Sequence, residues 1–139
     1  MSLHLIIITQ EKELVSQDVD SVTAMTTSGE VTILPGHIPL MTKLTDTEFI
    51  YRVKGISHSL AISGGFMNVE PNNRLIVLAD SAIRSEDINE AKAEAARQKA
   101  YQAMQEQKLS GVQMKIAEGE LRKAILELKV AQRRKASHT

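Results

Sequence analysis

The sequence predicts two units of different class: a mainly β domain, an antiparallel β-sandwich over residues 1–84, and an antiparallel two-helix hairpin over residues 85–139. Three observations carry this expectation. Short β-prone runs alternate with turn residues up to about Ala82. After Ser85 the composition shifts to Ala, Glu, Lys, Gln and Arg, and the apolar repeat lengthens from two to alternating threes and fours. A chain of 139 residues also suits one domain with its own core plus an appendage better than two ordinary domains.

In order along the chain, Leu3 to Thr9, Val19 to Thr27, Glu30 to Leu34, Phe49 to Lys54, Ser57 to Ile62, Phe66 to Glu70 and Arg74 to Ala79 each read as a strand. Ser28-Gly29, Pro35-Gly36, Lys54-Gly55, Gly64-Gly65 and Pro71-Asn72-Asn73 separate them, each supplying residues that fix or permit turn dihedrals. The last two runs, joined by Pro71-Asn72-Asn73, predict a hairpin. In its second strand Leu75, Val77 and Ala79 alternate with Ile76 and Leu78, apolar on both faces, which predicts a strand covered on both sides.

Asp87-Ile88-Asn89-Glu90 offers an N-cap carboxylate with Glu three residues on, so a helix is expected from near Ile88 to about Lys108. Leu109-Ser110-Gly111 breaks it. A second helix then carries Met114, Ala117, Leu121, Ala124, Leu128 and Ala131, which Ala93, Ala96, Ala100 and Ala103 answer from the first. A seam built largely from alanine is weak, because burying one methyl contributes about 0.8 kcal/mol against about 1.5–3 for a whole Leu side chain.

Composition excludes several function classes. The 17 basic and 17 acidic side chains cancel, which removes the bulk attraction that a nucleic-acid binder shows. Without cysteine there is no disulfide framework, thiolate nucleophile or thiolate metal site. No apolar run approaches the roughly 20 residues that span a bilayer, and no basic segment followed by an apolar stretch opens the chain, so neither membrane insertion nor an export signal is expected. Two Phe, two Tyr and no Trp leave no large stacking platform. His4, His37, His58 and His138 lack metal-ligand spacing, and no serine sits in a G-x-S-x-G setting. Ser63-Gly64-Gly65-Phe66 lacks the residues of a phosphate loop and reads as a tight turn. Charge is nonetheless uneven: residues 1–84 hold six Lys/Arg against nine Asp/Glu, and residues 85–139 hold eleven against eight, ending in Arg133-Arg134-Lys135.

Three stretches in fixed order are similar to the epsilon subunit family of bacterial F-type ATP synthases: Ser28 to Leu40 (SGEVTILPGHIPL), Ser63 to Glu70 (SGGFMNVE) and Val77 to Ile83 (VLADSAI). The resemblance spans essentially the whole chain. It implies a sandwich of about ten strands before a two-helix hairpin, and a rotor subunit of the central stalk that couples proton translocation to ATP synthesis and inhibits ATP hydrolysis through its C-terminal helices, without being catalytic itself. The implied partners are the gamma subunit, the c-ring and, through the helices, the alpha and beta subunits. The implied location is the cytoplasmic side of a bacterial membrane, held peripherally by those partners. Glu30 falls where the family's turn meets the c-ring, and His37, in the rigid loop with Pro35 and Gly36, falls where it faces gamma. Arg133, Arg134 and Lys135 form the inhibitory tail.

Some members of that family bind a regulatory ATP through a motif opening the first helix. The matching residues here are Ile88, Asn89, Lys92 and Ala93, with Arg122 as a second-helix partner. Asn89 in place of Asp removes a carboxylate acceptor, and Lys92 in place of Arg replaces a planar fork with a point charge, which weakens both adenine and phosphate recognition. Two other readings stand beside this one. A free-standing adaptor would bind one protein with the sandwich and another with the hairpin; a small enzyme would use the Gly64-Gly65 loop and His37.

Overall fold

The computed structural model describes residues 2–106 and 109–137, with side chains as far as Arg134. Contacts divide the chain into two compact units, Met1–Arg84 and Ser85–Thr139.

The first unit is built from eight strands: β1 Leu3–Ile8, β2 Glu13–Val19, β3 Ser21–Thr26, β4 Gly29–Ile33, β5 Leu40–Leu44, β6 Thr47–Val53, β7 Ile56–Glu70 and β8 Arg74–Arg84. At 15 and 11 residues, β7 and β8 are long enough to serve two layers each. The first half of β7 pairs with β6 and its second half with β5, while only the first half of β8 pairs with β1. One layer therefore runs β2, β1, the first half of β8, the second half of β7, and β5. The other runs the second half of β8, the first half of β7, then β6, β3 and β4. Counting the halves separately gives five segments in each layer, the sandwich of about ten strands that the resemblance implied. All ladders are antiparallel except β1 with β8, which join the two ends of the unit in parallel register.

The crossing between layers is encoded in a phase slip. In β7 the core-facing residues are Leu60 and Ile62, then Met67 and Val69, so a period of two skips one residue between Ile62 and Met67. In β8 the matching sequence is Leu75, Val77 and Ala79, then Ala82. Both slips fall where Gly64 and Gly65 take φ of +78° and +133°. Those values suit glycine, because a Cβ would strike the preceding carbonyl. A Cβ on Gly65 would also lie 2.2 Å from the Leu78 carbonyl oxygen. Both halves of each long strand consequently face one core, centred on Leu5, Ile7, Ile33, Phe49, Leu60 and Val77, none more than 1% exposed.

Two strands escape the pattern read from sequence. β2 keeps only Val15 and Val19 buried among polar neighbours at an edge, and β5 follows directly on a proline-bounded loop. The expectation for β8 needs correcting too. Leu75, Val77 and Ala79 are buried, but Ile76 is only half-buried and Leu78 is exposed, so no second layer of the sandwich itself covers the other face of the strand.

In the second unit a single 3-10 turn, Ser85–Asp87, leads into α1 Glu90–Gln105 and then α2 Gly111–Ser137. The helix cap is Asn89 and not Asp87: the Asn89 Oδ1 accepts from the Lys92 backbone N–H at 3.0 Å, while Asp87 belongs to the 3-10 turn. The expected end of the first helix near Lys108 lies outside the described residues. α2 opens on a reciprocal box, in which the Ser110 Oγ accepts from the Gln113 N–H at 3.2 Å and the Gln113 Oε1 accepts from the Ser110 N–H at 3.0 Å. The seam buries Ala93 and Ala100 of α1 with Ala117, Ala124, Val130 and Ala131 of α2; Met114, Leu121 and Leu128 are half-buried, whereas Ala96 is exposed and lies off the stripe.

Substituting Gly65 by Ala is expected to destabilise the sandwich by about 3 kcal/mol or more in urea unfolding, since the new Cβ meets backbone that cannot yield without breaking the β7–β8 ladder. A loss under about 1 kcal/mol would show that the bend does not depend on glycine.

Candidate functional site

The residues expected at partner contacts occupy two places on the sandwich. Glu30 is exposed as the second residue of β4, just after a tight turn in which the Thr26 hydroxyl donates to the Gly29 carbonyl at 2.8 Å and accepts from the Ser28 N–H at 3.1 Å. His37 lies beyond the other end of that strand. A strand rises about 3.3 Å per residue, so the rest of β4 holds Glu30 on the order of 10 Å from the start of the Leu34–His37 loop. The structure does not bring these residues into one site; it places them at opposite ends of one strand.

The loop itself is held by specific bonds. Its turn closes through the His37 N–H donating to the Leu34 carbonyl at 3.1 Å, and His37 Nδ1 lies 2.7 Å from the Ile38 carbonyl oxygen. Gly36 has φ of +86° and donates its N–H to the Asn73 Oδ1 at 2.6 Å. His37 is half-buried, while Leu34 is 55% and Ile38 75% exposed.

Next to this loop in sequence is a surface that motif reading missed. On the outer face of the β1–β8–β7–β5 layer, Phe66 sits opposite Leu78, and Leu78 opposite Ile8; Ile76 sits opposite Ile6, and Met41 follows on β5. Phe66 and Leu78 are each 54% exposed and Met41 71%. Large apolar side chains adjacent and exposed on one sheet face form a candidate contact surface. The signal was in the sequence, in the strand that is apolar on both sides.

The residues expected at a nucleotide site are committed to the start of the hairpin. Ile88 and Ala93 are buried, and the Asn89 amide oxygen caps α1. A recess of about 280 Å³ on the hairpin is lined instead by Arg97, Gln98, Tyr101, Gln102 and Leu121, and by none of Ile88, Asn89, Lys92, Ala93 or Arg122. Its cation is already engaged: Arg97 Nε donates to Glu94 Oε2 at 3.1 Å, and a second nitrogen meets the other oxygen. That pairing holds the Glu94 carboxyl below its ordinary range and raises Arg97.

Of the basic tail, Arg133 is exposed, while Arg134 turns back, donating to the Ser85 carbonyl and lying 3.7 Å from the Glu90 carboxylate. The Lys135 side chain lies outside the described residues. One turn before Ala131, burial pushes the Glu127 carboxyl up against the weaker opposing pull of Lys123. Among the described residues no group of three or more His, Asp or Glu side chains is placed to hold a metal ion, and no helix is long and apolar enough to cross a membrane.

The family model for the β-sandwich domain of the ATP synthase delta/epsilon chain matches residues 2–85, and the model for the long α-helix domain of the same chain matches residues 86–132. This chain belongs to the ATP synthase epsilon-chain family. The ATP synthase epsilon chain of Herpetosiphon aurantiacus is 44% identical over 135 residues, covering 97% of this chain and 98% of the relative. That of Dehalococcoides mccartyi is 41% identical over 133 residues, covering 96% and 94%. In fold, the chain is similar to one in the mitochondrial ATP synthase of Euglena gracilis, solved with OSCP, F1 and c-ring, with a TM-score of 0.74 at 24% identity over 94% of this chain and 81% of that one. The epsilon-chain family thus supplies a sandwich and helices in the same order, and the exposed apolar side chains belong to a component of a larger assembly.

Burial of Glu127 makes a pH test of the hairpin. A carboxyl raised on folding favours the protonated form, so its contribution is fully present below the unfolded-state value and is lost as pH rises through the folded-state value. Glu127→Gln is expected to raise the melting temperature of the helices at about pH 7, and the gain should shrink as pH falls toward about 4. A gain that is constant across that range would show that Glu127 is not strained by burial.

Proposed function

We propose that this chain, a rotor subunit of an F-type ATP synthase by its family, is a non-catalytic coupling and regulatory subunit. Its sandwich docks the gamma subunit to the c-ring during proton-driven rotation, and its hairpin restrains ATP hydrolysis by engaging the alpha and beta subunits. It would sit peripherally at the cytoplasmic face of a bacterial membrane, held there by those partners.

The observation that carries the docking half is the set of exposed apolar side chains Phe66, Leu78 and Met41, together with the exposed Leu34 and Ile38 of the loop. Continuous ladders from β2 to β5 tie the layer together, which suits a body that carries torque between two partners. Placing gamma on the His37 loop and the c-ring on the Glu30 turn uses the two ends of β4, which suits a spacer between two bodies. An acidic balance in residues 1–84 would favour basic polar loops at the c-ring end.

The regulatory half rests on the seam. Five of the six buried seam residues between α1 and α2 are alanines, small enough to part at modest cost. Paired and released forms then differ by a few kcal/mol, a gap that partner binding can overturn. The basic end of α2, with Arg133 exposed, suits an acidic surface on the alpha and beta subunits. An adaptor independent of any rotary complex would need neither property in combination.

The decisive assay adds the chain to a cognate alpha, beta and gamma complex lacking this subunit, either at full length or ending at Ser85. Both forms are expected to bind, with ATP hydrolysis reduced several-fold only by the full-length chain; failure of both to bind would leave the adaptor reading ahead. Regulatory ATP is tested on the isolated chain by calorimetry. Asn89→Asp with Lys92→Arg keeps a good helix cap and restores a carboxylate and a fork, so ATP affinity should rise about tenfold or more. No gain would remove this helix start as a nucleotide site.

A further inference from the structure

We infer that Asn73 is the positioning residue that presents the Leu34–Leu40 loop to its partner, an inference that rests on reading this loop as part of the gamma-subunit interface. The loop has little backbone hydrogen bonding of its own to offer. Pro35 and Pro39 have no N–H, and the His37 N–H is spent inside the loop on the Leu34 carbonyl. The Gly36 N–H leaves the loop and donates to the Asn73 Oδ1 at 2.6 Å, 37 residues along the chain.

Asn73 is built to hold that oxygen in place. It sits in the β7–β8 turn at φ of +59°, following Asn72 at +68°, a left-handed conformation that asparagine tolerates better than most residues. Its own carbonyl accepts from the His4 N–H at 2.8 Å, which ties the turn to the start of β1. One step on, Arg74 pairs with Glu70 across the mouth of the hairpin at 3.1 Å. The side chain therefore projects from a turn fixed on two sides, and the bond it accepts transfers that order to the loop. What it orders is apolar and outward: Leu34 and Ile38 are largely exposed, and binding through them loses less conformational freedom when the loop is already in place.

The test uses the full-length chain and the gamma subunit, with two substitutions that separate side chain from backbone. Asn73→Gly keeps the left-handed turn and the carbonyl to His4 but removes the amide oxygen; Asn73→Asp keeps the acceptor. Asn73→Gly should speed hydrogen exchange at the Gly36 amide about tenfold, leave the amides of β1 and β8 at their wild-type rates, and weaken gamma binding about five- to twentyfold. Asn73→Asp should restore both. Wild-type gamma affinity in Asn73→Gly, while Ile38→Asp in the same loop weakens binding, would overturn the role of Asn73 and leave the loop at the interface. If Ile38→Asp also binds gamma normally, the reading of the loop falls, and this inference with it.

Discussion

The bend at Gly64 and Gly65 is the constraint on which the sandwich depends. Two positive φ values in succession turn β7 over the core and carry β8 with it, so that one hairpin contributes two segments to each layer. Without the phase slip, either Leu60 and Ile62 or Met67 and Val69 would point outward, and a single hairpin could not line one core from two sides. The layers would then be two small sheets, each with an open apolar face and few bonds to the other. The close approach of Gly65 to the Leu78 carbonyl shows how little room the bend leaves.

The two units solve stability differently. The sandwich packs branched aliphatic and aromatic side chains at zero or near-zero exposure, with Phe49 as its largest fully buried member. The hairpin relies on backbone proximity through alanine, helped by caps at Asn89 and Ser110 and by the return of Arg134 to Ser85 and Glu90. Burial of about 25 cal/mol per Å² of apolar surface favours the first strongly and the second weakly. On the proposed reading, the sandwich is the body that transmits rotation and the weakly packed hairpin is the element that can be released.

Much of this was legible in the chain, and the failures have physical causes. Pro71-Asn72-Asn73 and the change of period near Ser85 each named a structural event, because proline and asparagine act through local dihedrals, whereas Gly64-Gly65, read as a tight turn between two strands, is a bend inside the continuous β7. β2 and β5 were missed because an edge strand buries few side chains and because Pro39 obscured the start of the next run. The cap moved from Asp87 to Asn89 because both residue types serve equally well and only the preceding 3-10 turn decides between them. Apolar residues on both sides of β8 were read as coverage by a second layer of the same chain, since a single sequence does not distinguish its own core from a partner's. The tie from the Asn73 side chain to the Leu34–Leu40 loop carried no signal, because it depends on a contact 37 residues away.

The parallel ladder between β1 and β8 has a consequence for how the chain is made. Leu5, Ile6, Ile7 and Ile8 find their partners Leu75 to Leu78 only at the far end of the sandwich sequence. On a ribosome adding roughly 5–20 residues per second, about 4 to 14 s pass between synthesis of the two strands. Throughout that interval the nascent chain carries an aliphatic segment with strong β-propensity and only β2 to pair with, on one edge. Chaperone occupancy during translation would therefore be set by the position of β8 in the sequence, and circular permutation that places β8 beside β1 would shorten it.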